Sequence, residues 1–329
     1  MHLLPTLPIR KILLQKNRTM SNTNFDLLKT MSAIHAPSGN EVAMKDFLLS
    51  YIKKEKNKWL VKPKIYSGDD FQDCIILVFG KPRTAIFAHM DSIGFTVRYE
   101  KQLVKIGGPR TPEGMRLVDE KGRNATLHVI KDKHSGFEKL EYKSAIKFAT
   151  GTELTFKPDW RETKDFVQCC YMDNRLGIYN ALKVAETLKD GAIVFSCWEE
   201  HGGGSVSYLQ KFLQKKYKVK QALISDITWI TEGVKHGKGV AISMRDSLVP
   251  RRSFIEKIIS IAKKHKVPFQ LEVEGSGGSD AKELQMAEYP WDWCFVGAPE
   301  DNVHTPDEKV HKADIASMIK LYEVLMKDL

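Results

Sequence analysis

The stretch AIVFSCWEEHGGGS, residues 192–205, decides how the chain is read. Its first six residues form an apolar run of the length of a buried strand. Glu199 and Glu200 follow directly after Trp198, and Gly202, Gly203 and Gly204 then turn the chain sharply. Two carboxylates at the carboxyl end of a strand stand where an open α/β sheet binds its ligands. What else reaches that edge decides the chemistry.

Working outward, residues 74–79 and 84–88 are apolar runs separated by Gly80-Lys81-Pro82-Arg83. They predict a strand pair whose second member ends in His89-Met90-Asp91. Residues 167–172 predict another strand, and Asp173-Asn174-Arg175 leads from it into a helix with apolar positions from Leu176 to Leu188. Residues 222–225 predict a strand ending in Asp226, and residues 293–297 one followed by a polar loop with His304. A strand over 267–273, the loop Gly275-Ser276-Gly277-Gly278-Ser279-Asp280 and helices over 25–31, 41–54, 206–215, 254–262 and 312–327 complete the alternation. Alternating strands and helices predict an α/β fold with a mostly parallel central sheet flanked by helices. Between residues 101 and 166 the texture changes to short β-type runs with glycine turns and no long helix. The expected organisation is therefore a discontinuous α/β domain over 20–100 and 167–329, interrupted by a small inserted β domain over 101–166.

A formal net charge of +10 raises the possibility of a nucleic-acid partner. Arg10, Lys11, Lys16 and Arg18 lie in a first segment with no acid, and without them the chain carries +6. Residues 1–19 are expected to be a disordered or mis-started extension, because Met20 opens a more conventional beginning, MSNTNFDLLKTMS. The other basic clusters, at 211–220 and 251–266, fall on helical patterns and read as solvated faces, so no nucleic-acid partner is expected. No apolar run approaches the roughly 18 residues of a membrane span, so no membrane partner is expected either. The five cysteines are odd in number, lack CxxC spacing and lie mostly in apolar runs, which predicts reduced thiols in a cytoplasmic protein.

Five residues of metal-ligand type stand at strand ends or in the loops after them: His89, Asp173, Glu200, Asp226 and His304. A lone histidine is more often an ordinary surface or core residue, and paired glutamates are usually a solvated face. Their joint position on one sheet edge changes that balance. Two histidines and three carboxylates suit two divalent ions if one carboxylate bridges, and this donor set fits zinc first, with cobalt or manganese as alternatives. Glu199 remains over and can serve as general base. His201 reads as structural, and Arg175 as a salt-bridge or sheet contact.

The segment AHMDSIGFTV, residues 88–97, resembles the metal-binding segment of the glutamyl aminopeptidase and tetrahedral aminopeptidase family of co-catalytic metallopeptidases. Counterparts of that family's other motifs follow in order: Met172-Asp173-Asn174-Arg175-Leu176-Gly177, Glu199-Glu200, Ser225-Asp226, Gly277-Gly278-Ser279-Asp280-Ala281 and His304-Thr305-Pro306. The early APSGNE at residues 36–41 and the β-rich insertion match as well, so the resemblance covers nearly everything from Phe25 onward. It implies a zinc-peptidase-like fold with a barrel-like insertion used for assembly, from dimers to dodecamers. It further implies one ion held by His89 and Asp226, the other by Glu200 and His304, with Asp173 bridging and Asp91 accepting the second ring N–H of His89. The chain departs from the family at Asn174, where a second aspartate is usual, and at His201-Gly202-Gly203-Gly204, where an apolar residue and Gly-x-x-Gly are common.

The implied activity is hydrolysis of the N-terminal bond of short peptides, with Glu199 taking a proton from water and delivering it to the leaving amine. A related metal-dependent carboxypeptidase or N-deacylase is the alternative among hydrolases. A non-catalytic, basic nucleic-acid-binding module is the alternative of another class.

Overall fold

The computed structural model describes residues 24–131 and 138–329, so the extension expected over 1–19 lies outside the described residues. Two helices come first, α1 (Asp26–Ser32) and α2 (Val42–Glu55). In α2, Met44, Leu48 and Ile52 recur at every fourth position and are fully buried, which makes a single apolar stripe. Lys53 and Lys54 sit in its last turn, where cations complement the helix dipole. Strands β1 (Lys64–Tyr66), β2 (Ile75–Phe79) and β3 (Thr84–His89) follow. Every residue of β2 and β3 is buried, as in a sheet covered on both faces.

The chain then builds a separate six-stranded sheet from β4 (Gly94–Val97), β5 (Leu103–Ile106), β6 (Arg116–Val118), β7 (Asn124–Lys131), β8 (Glu138–Lys143) and β9 (Glu153–Phe156). Its order is β5-β4-β9-β6-β7-β8, with every pairing antiparallel. A bridge between Gln102 and Glu141 ties its two edges, so the sheet is a nearly closed barrel. Leu117, Leu127, Leu154 and Phe156 are fully buried within it.

Strands β10 (Arg161–Glu162) and β11 (Phe166–Gln168) return to the first sheet, and α3 (Met172–Ala185) follows. The strand expected over 167–172 stops at Gln168. There the Cys169 N–H donates to Glu308 O at 3.0 Å, and Tyr171 turns to φ 67°. Next come β12 (Gly191–Ser196), α4 (Val206–Tyr217), β13 (Gln221–Trp229), β14 (Val240–Arg245), α5 (Arg252–Lys264) and β15 (Phe269–Val273). The last of these starts after Pro268, which has no N–H to give a ladder. Helix α6 (Ala281–Met286), β16 (Asp292–Asp301), β17 (Lys309–His311) and α7 (Lys312–Asp328) close the chain. The sequence pattern predicts neither β14 nor α6.

The main sheet has eleven strands along the path β1-β2-β12-β3-β13-β16-β17-β11-β10, with β14 and β15 branching from β16. Its centre, β12-β3-β13-β16, is parallel, and both margins are antiparallel. Helices α1, α3, α5 and α7 pack with one another and over the central strands, while α4 and α6 pack together. None of the described helices is long and apolar enough to cross a membrane.

One contact sets where α3 begins. A Cβ on Gly177 would stand 2.0 Å from Ser225 O of β13 and 2.1 Å from Asn174 Oδ1, so only glycine allows the helix this close. That approach carries Asp173 onto the ends of the parallel strands. Gly177→Ala is expected to cost about 1–3 kcal/mol by overpacking, read as a lowered urea midpoint.

Candidate active site

His89 is the last residue of β3, and its register partner in β12 is Ser196. On the other side Phe87 pairs with Ile224 of β13, which brings Asp226 level with His89. Glu199 and Glu200 occupy a single turn after β12, led by Trp198 at φ 66°. His304 lies in the loop after β16, also with positive φ. Parallel strands thus deliver residues from distant parts of the chain to one edge.

Asp173 stands at the centre. Its Oδ1 is 3.1 Å from His89 Nε2, and its Oδ2 is 3.4 Å from His304 Nε2. Asp226 Oδ2 lies 3.6 Å from the same nitrogen of His89, and Glu200 Oε2 lies 3.2 Å from that of His304. Two groups, His89-Asp173-Asp226 and Asp173-Glu200-His304, each offer ligand atoms within 4.8 Å of one another and could hold a metal ion. Imidazole and carboxylate are donors suited to borderline divalent ions. The buried Glu200 Oε1 has no hydrogen-bond partner, a lone pair set that a cation would satisfy. Glu199 belongs to neither group, with Oε2 3.8 Å from His89 Nε2.

The supporting contacts are specific. Asp91 is fully buried and accepts from the backbone N–H of Glu199 at 3.1 Å and of Glu200 at 3.0 Å, so it holds the turn that carries both acids. Its Oδ1 is 3.2 Å from His89 Nδ1, a charge contact whose alignment falls short of a hydrogen bond. His304 Nδ1 faces Gly108 O at 3.1 Å, which leaves Nε2 aimed at the acids. Gly108 belongs to the loop after β5, so the barrel sheet completes the site. From the same loop Gly107 donates its N–H to His201 Nδ1 at 3.0 Å, a structural role for that histidine.

Arg175 is fully buried and donates to the backbone carbonyls of Met90 and Asp91, a sheet contact beneath the site. Asn174 donates Nδ2–H to Ser225 O at 2.9 Å and accepts the Gly177 N–H at 2.8 Å. An ionised aspartate there could accept but not donate. The sequence reading missed Glu308, a buried acid that accepts the His304 N–H at 3.0 Å and the Asp173 N–H at 3.3 Å. Its only sequence signal is proximity to His304. Ser276, Gly277 and Gly278 of the glycine loop line a cavity of about 240 Å³ that opens onto the acids, while Asp280 is buried and accepts from Ser196 Oγ.

The profile of the family described as M42 glutamyl aminopeptidase matches residues 125–321. The chain belongs to the M42 glutamyl aminopeptidase family. As a member it is a peptidase, a hydrolase of peptide bonds. A curated relative from Acetivibrio thermocellus, provisionally named an aminopeptidase, is 26% identical over 332 residues, covering 90% of this chain and 96% of its own. Among solved structures, aminopeptidase APDkam598 from Desulfurococcus kamchatkensis aligns with a TM-score of 0.79 at 21% identity, over 93% of this chain and 94% of that one. The Pyrococcus horikoshii TET1 peptidase, which can assemble into a tetrahedron or a large octahedral shell, aligns at 0.74 and 23% identity, over 93% and 99%. These likenesses show the same fold.

Charge in this M42 family member is balanced by protons when no cation is bound. Burial opposes a charged His304, but Asp173 and Glu200 outweigh it and push the imidazole up to about 12. Burial likewise opposes a charged His89, yet Asp226, Asp173 and Asp91 raise it well above the ordinary value. Burial drives Glu199 upward, and Asp226 likewise. An imidazole keeps its proton below its raised value, so in metal-free protein His304 is expected to retain its protonated ring shifts from pH 6 to 9 by NMR.

Proposed function

We propose that this protein is an aminopeptidase that removes N-terminal residues from short peptides, using two divalent ions and Glu199 as general base. The observation that carries the reading is Asp173, whose two oxygens each face a different histidine-carboxylate group. His89 and Asp226 would hold one ion and Glu200 and His304 the other, with Asp173 shared between them. Zinc fits these donors first, and cobalt or manganese fit them too. When bound, such ions supply Lewis-acid polarisation of a peptide carbonyl and make water more acidic.

The chain's own residues do the rest. Glu199 lines the cavity, takes no part in either ligand group, and is free to accept a proton from water and pass it to the leaving amine. Asp91 orients the Glu199-Glu200 turn through two backbone N–H groups and faces the far ring nitrogen of His89. Burial of the acids beside the cavity strengthens the charge contacts among them.

A carboxypeptidase or N-deacylase would use the same groups, and aminoacyl against N-acylated substrates separates these activities. A nucleic-acid module gains no support from the site, whose cavity lining is rich in carboxylates. We assign catalysis to the α/β domain expected over residues 20–100 and 167–329, and assembly into homo-oligomers, from dimer to dodecamer, to the insertion expected over 101–166, whose barrel sheet runs from Gly94 to Phe156. The shell-forming TET1 relative supports assembly. Five free, buried cysteines support a reducing, cytoplasmic location.

Glu199→Gln is expected to keep its metal and lose about 10² to 10⁴-fold in kcat, measured on aminoacyl reporters after reconstitution. Undiminished turnover would remove Glu199 from the mechanism. Asp173→Ala should lose both ions by elemental analysis after dialysis, whereas Asp226→Ala and Glu200→Ala should each weaken one; full occupancy in Asp173→Ala would sink the shared-ligand assignment.

A further inference from the structure

The cavity that holds Asp173, Glu199 and Glu200 has further lining residues. It is lined as well by the apolar Ile227, Trp229 and Phe295 and by the acids Asp246, Glu272 and Glu274. Asp246 and Glu272 are 8% and 4% exposed, so both carboxylates are largely withdrawn from water. Each is held in place by one neighbour. Leu248 donates its N–H to Asp246 Oδ1 at 2.6 Å, and Thr228 Oγ1 donates to Glu272. No lysine or arginine of the described residues lines the cavity, and none of the three acids joins an ion pair among them. Arg245, next in the chain, gives its Nε–H to the backbone carbonyl of Asp246 at 3.2 Å and is exposed. On the wall shared with the catalytic acids, Glu200 is 3% exposed in its side chain, and its Oε1 has no hydrogen-bond partner.

Buried carboxylates without a counter-charge are costly. Burial pushes the carboxyls of Asp246 and Glu272 above their ordinary values, with the exposed Arg245 offsetting only part of the rise at Asp246, a cost that an incoming cation would relieve. Lysine and arginine side chains combine an alkyl stem with a terminal cation, and this cavity offers both apolar walls and acids. A glutamyl side chain would set a like charge against three acids. A neutral aliphatic one would fill the apolar part and leave the acids unpaired.

We propose that this cavity selects a basic N-terminal residue, lysine or arginine, and that Asp246 and Glu272 bind its cation; the inference rests on the aminopeptidase reading above. Lysyl and norleucyl reporters test it directly, since they differ at the terminal ammonium with the same stem length. With the metal-reconstituted enzyme, kcat/KM for the lysyl and arginyl reporters is expected to exceed that for the norleucyl reporter by at least about tenfold, with the glutamyl reporter slowest. Asp246→Asn and Glu272→Gln keep the acceptors for Leu248 and Thr228 but remove charge, and their combination should bring the lysyl-to-norleucyl ratio toward one. A wild-type ratio near or below one, or a ratio that the amide variants leave unmoved, overturns the proposal. Should the variants fail to fold, the wild-type ratio decides alone. Norleucyl turnover without lysyl preference sinks this inference and spares the aminopeptidase reading. A reconstituted enzyme that cleaves no aminoacyl reporter sinks both.

Discussion

Negative charge gathered at one edge of a sheet is the constraint on which this structure depends. Among the described residues, Asp173, Glu199, Glu200 and Asp226 converge there around His89 and His304, with the buried Arg175 as a further positive charge and Glu308 and Glu300 buried nearby. Such a cluster is tolerable only with positive charge brought in, as protons on the histidines and acids or as cations. The surrounding backbone is arranged for the same purpose. Amides of Glu199 and Glu200 point at Asp91, and those of Asp173 and His304 point at Glu308. Asp91 and Glu308 thereby fix the positions of Glu199, Glu200, Asp173 and His304 without joining either of the two groups that could hold an ion.

The barrel sheet contributes to this balance as well as to the surface of the molecule. Its Gly107-Gly108 loop reaches the main sheet, where one residue meets His201 and the other meets His304. A chain segment inserted between His89 and Asp173 thus orients His304, from the far end of the sequence. The His201-Gly202-Gly203-Gly204 run begins at that docking contact, with Gly202, Gly203 and Gly204 all at positive φ. Asn174 carries a similar message: its amide both donates and accepts, which an ionised aspartate cannot do.

Much of this was legible in the linear chain because it follows from local rules. Continuous apolar runs at Ile75–Phe79, Thr84–His89 and Gly191–Ser196 are buried strands, and the ligand-type residues after them mark one edge. Other features were not legible. The backbone departs from extended geometry at Tyr171 because Cys169 and its neighbours bond to the His304 loop, a partner more than a hundred residues away. Glu308, Asp246 and Glu272 look like ordinary surface acids until strands β14, β15 and β16 and their loops pack and bury them.

By itself the sequence determined the residue types, their places at strand ends and the α/β class, since apolar periodicity and strand length are properties of neighbouring residues. Tertiary structure alone decided that Asp173 turns one oxygen to each histidine, that the barrel loop fixes His304, and that three more acids line the cavity. Those are distances between segments far apart in the chain, set by strand register and by the close packing of α3 at Gly177, and no local pattern encodes them.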